Sequence, residues 1–171
     1  MTPVPPLQGG GGPIVGWRLD LRIHAPTWDS GEGAFRVGGR WNSPGVRAVY
    51  ASLDPATAIM EVAVHKGFVT LDTVPHTLTS FAVTDPSDVH VVPPEDVPNR
   101  NWLRPTTPNA GQRAFGDALL SAHKFVLIPS AVSTHSWNLL FVAAAASGSY
   151  SPMLQEPFAL NPPPRFNPAR P

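Results

Sequence analysis

Residues 38–62 read GGRWNSPGVRAVYASLDPATAIMEV. The middle of this stretch, VRAVYAS (46–52), is a short β-branched run and predicts a strand. A helix start follows at once. Asp54 suits the N-cap, and Pro55 suits the first helical position, where its missing N–H is no loss. The helix is predicted to run from Pro55 to Lys66 and to stop at Gly67. On it Ile59, Met60, Ala63 and Val64 form one apolar stripe. Glu61 lies about 100° round from Met60, at the edge of that stripe, and shares a face with His65. A carboxylate in apolar surroundings costs free energy unless a partner or a ligand compensates it. Glu61 is therefore the first residue to explain.

Working outward, IVGWRLDLRI (14–23) alternates loosely and reads as a strand. HAPTWDSGEGAFRVGG (24–39) carries turn chemistry and reads as loop. HTLTSFAVT (76–84) and VHVVP (89–93) read as two more strands. Pro and Asn break both periods in 93–111, which predicts a long irregular connection. QRAFGDALLSAHK (112–124) reads as a second helix. FVLIPSAV and WNLLFVAAA read as a closing pair of core strands, and the tail from Ser151 as extended and then disordered. The 22 prolines exceed the usual share of roughly 5% and favour short elements. No repeat is visible. The element order predicts a single α+β domain with a compact mixed sheet and short flanking helices.

Composition removes several function classes. Lys plus Arg equals Asp plus Glu at 12 each, so there is no basic excess of the kind that direct nucleic-acid binding requires. Ten of the positive charges are arginines; Lys66 and Lys124 are the only lysines. Arginine is the better residue for forked contacts to phosphate or carboxylate, although codon bias explains the same imbalance. The chain has no cysteine, which excludes disulfides, thiolate zinc sites and a cysteine nucleophile. The N-terminus lacks the basic start and apolar segment of a secretory signal, and no apolar run reaches the ~18 residues of a membrane span. A cytoplasmic protein without a membrane role is expected.

Among chemical motifs, GEGAFRVGGR places Arg36 where a dinucleotide fingerprint needs its third glycine, and a P-loop is absent. Six histidines are scattered without ligand spacing; Glu61 and His65 alone do not make a metal site. There is no G-x-S-x-G elbow. Ser130, after Pro129 at a strand end, could aim a hydroxyl into a pocket, but a serine bonding local backbone is the commoner reason for that position. Arg40, between Gly39 and Trp41, could fork onto a phosphate or simply stack on the indole. Arg18, after Trp17, has the same two readings, and Tyr50 is either a stacking platform or a half-buried strand tyrosine. Together, two arginines, an aromatic, a carboxylate and a hydroxyl suit a pyrophosphate-linked ligand with a cleavable glycosidic bond.

The block GEGAFRVGGRWNSPGVRAVYASLDPATAIMEVAVH resembles the core of the RES domain family of bacterial toxins. VLIPSAVSTHSWNLL resembles the family's PSA…N segment, and EPFALNPPPRF its usual ending. The likeness implies a single catalytic domain over 14–166, with a Pro/Gly leader (1–13) and a disordered tail (167–171). It implies a split mixed sheet similar to the ADP-ribosyltransferase toxin fold, built around an NAD cleft. The implied activity is cleavage of the nicotinamide–ribose bond of NAD, depleting it by hydrolysis or phosphorolysis. No cofactor or metal is implied beyond NAD as substrate, with inorganic phosphate a candidate co-substrate. Transfer of ADP-ribose to a cellular protein is the alternative, and a degenerate nucleotide- or partner-binding module a further one. Carried over residue by residue, the functional positions are Arg18, Arg40, Tyr50, Glu61 and Ser130. Glu61, Arg40 and Ser130 take catalytic roles; Arg18, Arg40, Tyr50 and Ser130 bind NAD. The implied protein partner is an Xre-like helix-turn-helix antitoxin that occludes the active site; homodimerisation is left open. After Asn138 the family commonly shows a second Asn, then Pro and His, whereas this chain has LLFVAAAASGSY.

Overall fold

The structure, a computed structural model, describes residues 13–98, 101–102, 108–133 and 135–160. Most of the leader (1–12), the end of the expected domain and the expected tail (161–171) lie outside the described residues. The chain runs β1 (Ile14–Leu21), α1 (Glu32–Val37), β2 (Ala48–Ser52), α2 (Pro55–Lys66), α3 (Phe68–Thr73), β3 (His76–Val83) and β4 (Val89–Val91). It closes with α4 (Ala110–Ala122), β5 (Phe125–Pro129), β6 (Trp137–Val142) and β7 (Tyr150–Phe158). Short 3-10 turns at Arg22–Thr27, Pro86–Asp88 and Pro94–Asp96 fill connections.

All seven strands form one sheet in the order β4-β5-β6-β2-β1-β3-β7. The β4–β5 pair is parallel and the rest are antiparallel, so the sheet is mixed. Its weak line is the join between β1 and β2, which meet only at Trp17 and Ser52. By contrast, β1 and β3 pair along their whole lengths, from Ile14↔Val83 to Leu21↔His76. The sheet is thereby nearly split in two, and the gap at the split is where the site lies.

The strands left of the split are apolar on both faces because both are covered. Phe125 and Leu127 of β5 join Leu139 and Phe141 of β6 in one cluster with Trp28 and Phe81. Their neighbours Val126, Ile128 and Leu140 face the other way, onto Trp41, Trp102 and Leu120 of α4. This alternation is why FVLIP reads as a continuous apolar run. A third cluster seats α2 and α3 on β1 and β3 through Ala63, Leu71, Leu19 and Leu78.

The α2 signals work as the sequence reads. Asp54 accepts from the Thr57 amide at 2.8 Å, and Gly67 ends the helix at φ +84°. The stripe on α2 is different: Met60 and Val64 are 40% and 55% exposed. The buried positions are Thr57, Ala58 and Ala63. Small residues let α2 lie close to β1, and this rotates the Glu61 face inward. Residues 24–39, expected as loop, contain α1, and α3 was not foreseen. The tail from Tyr150 is a long edge strand on β3, where its prolines are tolerated.

Candidate active site

Arg18, Arg40, Tyr50 and Glu61 line one cleft of about 430 Å³, with Trp17, Asp20, Ser52, His65, Lys66 and Asn138. The α1 residues Gly33, Ala34 and Val37 also line it.

Glu61 answers the opening puzzle. Its side chain is 21% exposed. Its Oε1 accepts from Ser130 Oγ at 3.1 Å and from Asn138 Nδ2 at 2.6 Å. Its Oε2 lies 3.5 Å from His65 Nε2. Burial pushes the carboxyl up, but the bonds from His65, Asn138 and Ser130 outweigh it and hold Glu61 below the usual carboxylate range. Glu61 is thus an ionised, oriented and partly dry carboxylate facing a cleft.

The frame around it is rigid. Ser136 Oγ donates to Asp54 Oδ2 at 2.6 Å and lies 2.9 Å from Thr57 Oγ1. The Leu53 amide donates to Trp137 O. The start of α2 is therefore tied to the start of β6, which keeps the helix carrying Glu61 beside the strand carrying Asn138. Ser130 is fully buried and stands behind Glu61. Its Oγ also accepts from the Val132 and Ser133 amides. The local backbone role and the Glu61 role coexist in one hydroxyl.

Arg40 sits on a loop shaped by two glycines. Gly38 has φ +73°, and a Cβ on Gly39 would lie 2.5 Å from the Tyr50 hydroxyl. Arg40 Nη1 donates to Trp102 O at 2.6 Å. That bond anchors the guanidinium, and among the described residues it is the one hydrogen bond Arg40 makes through its side chain. Arg18 spans the split: Nη1 donates to Tyr50 O at 2.9 Å, and Nη2 meets Asp20 Oδ2 at 2.5 Å. It takes the place of the missing β1–β2 ladder while lining the cleft.

Tyr50 has a structural task. Its hydroxyl donates to Asn42 Oδ1 at 2.7 Å and accepts from the Trp41 amide at 3.0 Å. Asn42 is itself fully buried and donates to the Ala34, Ser43 and Val46 carbonyls. Burial raises the phenol far above its ordinary range, so it stays neutral. Tyr50→Phe should strand Asn42 Oδ1 and the Trp41 amide and lower stability by about 1–3 kcal/mol. Chemical denaturation checks this; an unchanged midpoint would show that the hydroxyl does not hold the Arg40 loop.

Asn138, Ser52 and Asp20 were not foreseen as site residues. Asn138 stood in a recognised segment, but its meeting with Glu61 depends on strand register and helix placement, which local sequence does not reveal. Among the described residues, no three acidic, His or Cys side chains converge as metal ligands. Among them also, no helix is long and apolar enough to cross a membrane.

Comparison with known proteins follows the same lines. A chain in the crystal structure of the M. tuberculosis MbcT–MbcA toxin–antitoxin complex superposes with a TM-score of 0.69 at 22% identity. The match covers 86% of this chain and 85% of that one. At that identity the likeness establishes the fold. No curated protein sequence matches. The family model described as "RES domain" matches residues 16–161. This chain belongs to the RES domain family.

Proposed function

We propose that this chain is the toxin of a toxin–antitoxin pair, and that it binds NAD and breaks the nicotinamide–ribose bond. The observation that carries the reaction is an ionised Glu61, pinned through one oxygen, in the same cleft as two arginines. As the C1′–N bond breaks, its electron pair leaves with nicotinamide, which departs neutral and needs no acid. Positive charge grows on the ribose. A fixed carboxylate nearby stabilises that charge and can accept from a ribose hydroxyl, as in glycoside cleavage. Water then attacks C1′ and loses a proton, giving ADP-ribose; inorganic phosphate attacking instead gives the phosphorylated product. Arg40, with Arg18, would grip the pyrophosphate. The toxin role and an antitoxin partner are supported by family membership and by the complex in which the structural neighbour was crystallised; on this reading the protein acts in the cytoplasm and an Xre-like antitoxin occludes the cleft.

The test is free nicotinamide, followed by chromatography after purified protein meets NAD. Release above the Glu61→Gln background supports the reaction; none from folded protein rejects it. Labelled NAD separates the acceptors: labelled ADP-ribose means hydrolysis, its phosphorylated form phosphorolysis, and a labelled protein band transfer.

Arg40→Ala should weaken NAD binding about tenfold or more, the loss of one or two charge-assisted hydrogen bonds at ~1.5–3 kcal/mol. Calorimetry in the Glu61→Gln background, where substrate persists, reads this directly. Equal affinity would remove Arg40 from the phosphate site.

A further inference from the structure

We infer that Asn138 is a positioning residue that orients the Glu61 carboxylate, and that Ser52 locks the Asn138 amide in the orientation this requires. This deepens the proposed cleavage reaction and rests on it. The β2–β6 ladder sets Ser52 directly opposite Asn138. Both are buried, yet both line the cleft. Asn138 Oδ1 accepts from Ser52 Oγ at 2.9 Å, while Nδ2 donates to Glu61 Oε1 at 2.6 Å.

An ionised carboxylate only accepts, so just one of the two amide orientations is compatible with Glu61. The reverse would press Oδ1 against Oε1, acceptor on acceptor. With Oδ1 turned to Ser52, the hydroxyl donates to it and the amide is fixed. The consequence falls on Glu61. Asn138 and Ser130 both hold Oε1, which leaves Oε2, 3.5 Å from the exposed and displaceable His65, as the oxygen to meet a ribose. Ser130 approaches from the end of β5 and Asn138 from β6, so two donors on different strands fix the plane of the carboxylate.

The measurement is nicotinamide release from NAD by wild type, Asn138→Ala, Asn138→Asp and Ser52→Ala across pH 5–9. Thermal melts run alongside. For Asn138→Ala, kcat should fall by roughly 10²-fold with KM little changed, the penalty of a misplaced reacting group. For Ser52→Ala the fall should be smaller and again in kcat. Asn138→Asp sets a second carboxylate against Glu61. Like charges disfavour double ionisation, so the pair shares a proton and the acidic limb of kcat should move up by about one unit or more. The other ionisable groups lining the cleft are Arg18 and Asp20 on β1, Arg40 before β2, Tyr50 on β2, and His65 and Lys66 on α2. All are unchanged in these variants.

A purely structural Asn138 would lower the melting temperature and leave the limb in place; that result, or a kcat within twofold of wild type in Asn138→Ala, overturns the inference. Should Asn138→Asp not fold, Ser52→Ala decides: a wild-type kcat overturns it and a lowered kcat at unchanged KM upholds it. An inactive wild type rejects the proposed reaction itself. An active wild type with unmoved variants rejects only the role given to Asn138.

Discussion

Glu61→Gln is expected to keep the fold and to cut nicotinamide release by roughly 10²–10³-fold, the scale seen when one preorganised charge-stabilising group is removed. That is about 3–4 kcal/mol on the barrier. The fold should survive because the Gln carbonyl can accept the same bonds from Ser130 and Asn138 that Oε1 accepts now. What disappears is the negative charge facing the ribose. Stability carries a second signature. The folded carboxyl lies below its ordinary range. Its ionised form therefore adds stability above the unfolded pKa, and that contribution is lost as pH falls through the folded value. On acidification the melting temperature of wild type should fall relative to that of Glu61→Gln, so the gap closes if wild type melts higher at neutral pH and widens if the variant does. Turnover by the variant within threefold of wild type would detach Glu61 from the chemistry.

Where the sequence was legible, the signals were local. The β2–α2 unit is readable because a β-branched run, an N-cap aspartate, a proline at the first helical position and a terminating glycine all lie within 20 residues of one another. Residues 24–39 hide a helix because their signals conflict. α1 starts after Gly31 at φ +62° with no side-chain cap, and it ends at another positive-φ glycine. Its support is tertiary: buried Asn42 donates to the Ala34 carbonyl, Ala34 packs on the Trp41 cluster, and Glu32 pairs with Arg47 outside the helix as well as with Arg36. α3 is six residues long, follows Gly67 directly and has no side-chain cap, so only the burial of Leu71 marks it. The misread face of α2 has the same origin. Hydrophobicity favoured Met60 and Val64 as inward residues, but close packing on β1 selects Ala58 and Ala63. For the site, Glu61 and Arg40 stood out by their incongruous neighbours. Asn138 did not, because an asparagine at the start of a core strand looks ordinary until Ser52 is set across from it.

Gly116→Ala is expected to be the most damaging change to stability, against the direction that helix propensity gives. In the interior of a helix such as α4, alanine is favoured over glycine by about 1 kcal/mol. Here the added Cβ would lie 1.9 Å from Trp41 O and 2.6 Å from Trp41 C. Those are backbone atoms of a residue 1% exposed, so no side-chain rotation relieves the overlap. Either α4 backs away from the sheet or the 38–42 loop moves. Overpacking of this kind costs typically 1–3 kcal/mol and can exceed that, so after the propensity gain a net loss of about 2 kcal/mol or more is expected. If the loop moves, the Trp41 amide leaves the Tyr50 hydroxyl and Arg40 moves with it, so NAD affinity should fall together with the melting temperature. Gly33→Ala is the matched comparison: it is also helical, and its Cβ would meet nothing within 4 Å. It should be neutral or stabilising. A Gly116→Ala protein as stable as Gly33→Ala would mean that α4 does not press on Trp41. The Arg40 loop would then owe its position to hydrogen bonds, those of Tyr50 and Asn42 and those of Arg113 and Asp117 of α4 with Gly39 O and Ser43 N.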